Sequence, residues 1–184
     1  MDALAVKSPL DLETMAKLHA GTRVLLSGVI YTARDAAHQR LVAELKQTGK
    51  VPFGLQGQTI YYAGPSPARP GQIIGSVGPT TSNRMDVYTP PLMEAGILAM
   101  IGKGERSEEV RKAMRRCGAV YLVATGGVGA LLAETVKKAE IIAYEDLGAE
   151  AINKLEVVDF PAIVAYDIYG GDLFQRGRAE YKRV

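Results

Sequence analysis

Apolar residues in this chain fall in blocks, and the spacing within each block switches between helix-like and strand-like. In RDAAHQRLVAELKQTG (34–49), Ala37, Leu41, Val42 and Leu45 fall at i, i+4, i+5 and i+8. That spacing predicts an amphipathic helix, and Gly49 is a natural stop for it. The preceding run TRVLLSGVIYTA (22–33) is apolar and β-branched enough for a strand, so the junction falls at Thr32-Ala33-Arg34-Asp35. Nearer the start, Ser8-Pro9 and Asp11 are helix-start signals ahead of a short segment. Residues 51–81 are dense in glycine and proline, with short apolar runs at 60–63 and 72–77 that predict brief strands joined by turns. TPPLMEAG opens with a proline pair suited to the first turn of a short helix. ILAMIGKG predicts a buried strand, and SEEVRKAMRRCG a helix with Ser107 as N-cap and Gly118 as stop. Beyond it the pattern predicts a strand in AVYLVATGG, a helix in VGALLAETVKKA and a strand in EIIAYED. A short helical or irregular link in LGAEAINKLEV follows, and last comes a strand with a Gly-Gly turn in FPAIVAYDIYGGDLF. Strands alternate with helices, but the middle is strand-rich without them, so the expected class is α/β with a mixed β-sheet and flanking helices.

Composition narrows the function classes. At 184 residues the chain has the size of one domain, and 47% apolar and 23% charged residues are ordinary globular values. A net charge of +2, with basic residues scattered, gives no reason to expect a nucleic-acid or membrane partner. No apolar run approaches the roughly 18 residues needed to span a bilayer, and no signal-peptide pattern is evident, so a cytoplasmic location is expected. The single cysteine, Cys117, excludes an internal disulfide and a cysteine-built metal cage, and reads as a half-buried thiol at a helix end. His19 and His38 pair with no other ligand-type residue at useful spacing, so no metal site is expected in this chain.

Two glycine-rich turns invite a nucleotide reading. In GILAMIGKGERS five residues rather than four separate Gly96 from Gly102, and Gly104 stands where a phosphate-binding loop needs Ser or Thr. TGGVGALLAE lacks the third glycine of a dinucleotide fingerprint. Both read better as tight strand-to-helix turns. A different set shares one chemical character. Arg34 follows one expected strand, Thr80, Thr81, Asn83 and Arg84 follow another, and Lys103 follows a third. Loops beyond the carboxyl ends of strands in α/β sheets tend to converge on one crevice. Three cations and two hydroxyls there make an anion trap, with arginine suited to grip a carboxylate bidentately.

GPTTSNRMD (78–86), TARDAAH (32–38), GKGERS (102–107) and LEVVDFPAIVAYDIYGGDLF (155–174) occur in the order found in one family. The chain resembles the β subunit, or carboxy-terminal domain, of the class I iron–sulfur fumarase and L(+)-tartrate dehydratase family along nearly its whole length. The resemblance implies a single hydro-lyase domain over 1–184, of a swivelling β/β/α type. It implies a [4Fe-4S] cluster held by three cysteines of a partner α subunit and not by this chain. By motif, Arg34, Arg84 and Lys103 would clamp the carboxylates of a small dicarboxylate, Thr80 would stand where a proton leaves carbon, and Thr81 and Asn83 would shape the pocket. A threonine hydroxyl is a very weak base, so a carboxylate must take over its proton. The family places that carboxylate on the other subunit; Asp35 and Asp86 are local alternatives, although Asp35 reads as a helix cap and Asp86 as ordering its turn. Glu105 replaces the usual asparagine of the lysine motif and is expected to face solvent. The expectation is a two-subunit fumarate hydratase converting fumarate and water to malate reversibly. Tartrate dehydration is the nearest alternative, and a non-catalytic anion- or nucleotide-binding module or a purely structural scaffold subunit is more distant.

Overall fold

The computed structural model describes residues 3–183. Seven strands form one mixed sheet: β1 (Leu4–Ser8), β2 (Arg23–Thr32), β3 (Thr59–Tyr61), β4 (Ala99–Gly102), β5 (Val120–Val123), β6 (Val136–Ala143) and β7 (Ile152–Tyr166). The helices are α1 (Leu12–Lys17), α2 (Asp35–Thr48), α3 (Thr89–Glu94), α4 (Glu108–Cys117), α5 (Gly129–Glu134) and α6 (Leu173–Tyr181). Short 3-10 turns occupy Ser82–Met85 and Glu145–Glu150. The mixed α/β class expected from the pattern is the one observed.

Strands β1 to β5 pair in parallel, β1 and β3 both flanking β2, while β7 runs antiparallel to β2, β5 and β6. Because β7 bonds both β2 and β5, the pairings β2-β3-β4-β5-β7 return to β2 and close a ring. Period-two alternation then sorts the side chains into two cores. Tyr61, Ala99, Ile101, Val120 and Leu122 turn inward to meet Leu26, Leu155, Phe160 and Val164 of β2 and β7. Their sequence neighbours Ile60, Met100 and Tyr121 turn outward to meet Leu41 of α2, Leu92 of α3 and Met114 of α4. The result is three layers, strand on strand and strand on helix.

Local signals explain most elements. Asp11 accepts a hydrogen bond from the Thr14 N–H at 2.7 Å and starts α1. Ser107 accepts from the Val110 N–H at 3.3 Å, and Gly118, left-handed at φ 66°, ends α4. Glu108 and Glu109 in its first turn and Arg115 and Arg116 in its last suit the helix dipole. Other stretches differ from expectation. Residues 72–77 are no strand: the Gly75 backbone packs against the Ser66 and Pro67 carbonyls, where a Cβ would not fit, and Ser66 bonds Ser76 instead of a neighbouring strand. The helix expected through residue 139 stops at Glu134, because Val136 onward pairs with β7 as an edge strand. The expected link at 147–157 is largely the first half of β7, and β1 and α6 were not foreseen.

Candidate active site

The carboxyl ends of β2, β3 and β4 are extended by loop-to-loop hydrogen bonds that set the predicted residues side by side. Ala33 donates its N–H to the Tyr61 carbonyl at 3.1 Å, and Tyr62 to that of Ile101 at 2.8 Å. The segment carrying Thr80 then threads between the ends of β3 and β4. Thr80 N–H donates to Tyr62 O at 2.6 Å, Lys103 N–H to Thr80 O at 3.2 Å, and Ser82 N–H to Lys103 O at 2.9 Å. Thr81 and Lys103 thus face one another as a parallel bridge. Gly102 makes this approach possible, since an added Cβ there would overlap the Ser82 hydroxyl.

Arg34 closes β2 and stands at the N-cap of α2. Its NH2 lies 3.4 Å from Glu150 Oε1, its Nε 3.6 Å from Asp35 Oδ2, and its side chain packs against Gly64. Arg84, in the Ser82–Met85 turn, places NH2 3.2 Å from that same Asp35 oxygen. The two arginines therefore converge on one carboxylate. Lys103 is exposed, has no ion-pair partner among the described residues, and lies alongside Gly126 of the β5–α5 turn. Asn83 and Thr81 are exposed and Thr80 is half-buried. The arginines meet at Asp35 and Thr81 meets Lys103, and chain continuity from Thr80 to Arg84 links the two meeting points into one band, in which Thr81, Asn83, Arg84 and Lys103 are exposed. A 260 Å³ hollow lies elsewhere, between α4 and the Gly170–Gly171 turn.

The local acids behave differently from expectation or more specifically than it. Asp35 does not cap α2: it is the first helical residue, and Glu150 supplies the cap by accepting from the Ala36 N–H at 2.8 Å. Asp35 is left free to meet the arginines. Asp86 orders its turn by tying it to the next loop, accepting from Arg106 Nε at 2.7 Å and from Ser107 N–H at 2.6 Å. Glu105 faces solvent, paired with Arg178 of α6.

Arg106 is the residue that the sequence reading missed. Its side chain is fully buried, paired with Asp86, and donates to Tyr62 Oη at 3.2 Å and Thr89 Oγ1 at 2.7 Å. It lies over the rings of Tyr62 and Tyr121, both centroids 5.1 Å away. Tyr121 Oη in turn bonds Ser82 Oγ at 2.8 Å and the Gly104 carbonyl at 2.9 Å. This hub fixes the loop of Thr80 and Arg84 to the loop of Lys103. His38 lies beneath the band, bonded through Nδ1 to the Arg34 carbonyl at 3.0 Å and edge-on to Tyr62. Burial pushes its pKa down to about 4, against a weaker rise from that hydrogen bond, so the ring is neutral near pH 7. Cys117 is half-buried at the end of α4, and burial pushes its thiol up.

No three His, Cys, Asp or Glu side chains among the described residues cluster as a metal cage, and no helix among them is long and apolar enough to cross a membrane. The residues of this chain do not fit an iron–sulfur cluster.

The family described as Fumarase C-terminus matches residues 2–177. The class I aerobic fumarate hydratase of Salmonella typhimurium is 40% identical over 167 residues, covering 90% of this chain and 29% of that protein. The mitochondrial fumarate hydratase 1 of Leishmania major is 39% identical over 171 residues, 91% of this chain and 31% of its own length. A Methanocaldococcus jannaschii protein, whose name suggests an L(+)-tartrate dehydratase subunit beta, is 42% identical over 165 residues, 86% of this chain and 85% of its own length. The chain thus spans about a third of the length of the fumarate hydratases it matches and most of the separate β subunit.

Proposed function

The chain belongs to the fumarase C-terminus family, and from that premise we propose that it is the β subunit of a two-subunit iron–sulfur hydro-lyase, a single catalytic domain over residues 1–184. The reaction is the reversible addition of water to fumarate to give malate, in the cytoplasm. The α subunit holds the [4Fe-4S] cluster, and this chain binds the dicarboxylate and handles its charge. The observation that supports this reading is the meeting of two arginines from separate loops at Asp35, one of them on the segment whose Thr81 is bridged through the backbone to Lys103.

Arg34, Arg84 and Lys103 neutralise the two carboxylates. Negative charge grows on a carboxylate when the neighbouring carbon loses its proton, so the same cations stabilise the transition state more than the ground state. Thr80 stands at the proton-transfer position, and Thr81 and Asn83 shape the pocket. Both local acids are committed, Asp86 to Arg106 and Asp35 to the arginines. The family resemblance implies that the carboxylate which relieves Thr80 of its proton comes from the α subunit. An open face is what a half-site looks like before its partner covers it.

The test is co-expression with the α subunit, cluster reconstitution and steady-state kinetics. Arg84→Ala and Lys103→Ala should each lower kcat/KM for malate about 100-fold or more without changing the melting temperature. Rates within a fewfold of wild type would overturn the assignment. L(+)-tartrate is the second reading, favoured by the end-to-end match with the separate β subunit. Comparing kcat/KM for the two substrates decides between them.

A further inference from the structure

Asp35 has a position that helix formation does not explain. Glu150 already satisfies the start of α2. The Asp35 Oδ2 atom is buried and accepts no hydrogen bond, and Arg34 Nε, 3.6 Å away, is buried and donates none. The same oxygen lies 3.2 Å from Arg84 NH2. A carboxylate withdrawn from water costs free energy unless charge compensates it. Here the compensation comes from two cations on different loops, one after β2 and one in the Ser82–Met85 turn.

We propose that Asp35 is a positioning residue, a shared counter-ion that holds the guanidinium groups of Arg34 and Arg84 at a fixed separation before substrate arrives. An unrestrained arginine loses rotamer freedom when it closes on a carboxylate, and that loss weakens binding. Both guanidinium groups meet one oxygen, Arg34 NH2 also faces Glu150 Oε1 at 3.4 Å, and the half-exposed Arg84 keeps N–H groups open to solvent. Lys103 stands outside this arrangement: it has no carboxylate partner among the described residues, and backbone bonds set its place. The inference rests on the proposed hydro-lyase reading and adds a residue to it.

A double-mutant cycle on the assembled, cluster-loaded complex tests the idea. Asp35→Asn keeps the shape of the side chain and removes its charge. Its KM for malate should rise about tenfold, roughly 1.4 kcal/mol of binding, while kcat stays within about twofold and the melting temperature holds. In an Arg84→Ala background the substitution should add nothing to KM, because one of the two tethered groups is gone. In a Lys103→Ala background it should keep its full effect. Asp35→Glu should recover part of the loss.

Equal effects in the two backgrounds, an unchanged KM, or a KM below wild type would overturn the proposal. The last result would mark Asp35 as a competitor for the substrate's place. Wild-type complex inactive on both malate and tartrate would sink the hydro-lyase reading itself. Active wild type with a silent Asp35→Asn sinks only the positioning role.

Discussion

Two arginine–aspartate arrangements lie close together in this molecule, and they are built to opposite rules. Arg106 has no exposed side-chain surface, and Asp86, Tyr62, Thr89 and two aromatic faces surround it. Arg34 and Arg84 are 28% and 47% exposed, meet Asp35 without hydrogen-bond geometry, and leave donors unused. The first arrangement is saturated and can only hold structure. The second is unsaturated, and in the proposed function its open donors accept an anion. The same pair of residue types becomes a girder or a receptor according to how many of its hydrogen-bonding positions the fold leaves open.

Arg106→Met breaks the comparison at its strongest point. It leaves Asp86 buried without its cation, so unfolding free energy should fall by about 3–5 kcal/mol in urea titrations, and activity should fall with it. Arg84→Ala should change stability by no more than about 0.5 kcal/mol. If the two variants unfold alike, the distinction between girder and receptor is lost.

Acid probes the buried side next. His38 packs against the Arg106 hub and has a folded pKa of about 4 against an ordinary 6.5. Between those values the unfolded chain takes up a proton that the folded chain refuses. Stability is therefore lost as pH falls from about 6.5 to 4, by on the order of 3 kcal/mol. Burial is the main cause, the positive charge of Arg106 adds to it, and Asp35 opposes it. His38→Gln should flatten that slope in unfolding curves at pH 7, 5.5 and 4.5; an undiminished slope would assign the loss to other groups.

Gly102→Ala sharpens the comparison where its two halves join. The new methyl would overlap Ser82 Oγ and lie 2.9 Å from Tyr62 Cδ2. A destabilisation of about 1–3 kcal/mol in thermal unfolding is expected, with kcat/KM falling further than stability alone accounts for as Thr81 shifts from Lys103. A neutral variant would show that the turn carrying Arg84 does not depend on this close approach.

Legibility followed physical locality. Helices α2 and α4 were readable because apolar spacing and a glycine stop lie within each segment, and α4 also carries its own N-cap in Ser107. Strand β7 was legible only from Phe160 onward: in its first half Asn153, Lys154 and Glu156 are polar, and what makes that stretch a strand is pairing with β2 and β6. Arg34 and Lys103 were visible as cations after strands, Arg84 follows an expected strand that did not form, and motif order singled out all three. The convergence of the two arginines on Asp35 was hidden, because Asp35 beside a helix start reads as a cap and Glu150, distant in sequence, takes that role. Arg106 was hidden between Glu105 and Ser107, in a stretch that looks solvated. The available signal was Tyr62 and Tyr121, whose buried phenols demand polar partners.

The ring of strands has a consequence for biosynthesis. Its closing member, β7, follows the six other described strands in the chain, and it must find β2, made more than a hundred residues earlier: Asn153 bonds Thr32 across 121 positions. Such distant pairing is slow to nucleate. A nascent chain halted before residue 152 carries every proposed substrate contact yet lacks the wall they stand on. The loops after β2, β3 and β4 then gain their rigid support late and all at once, when β7 closes the ring.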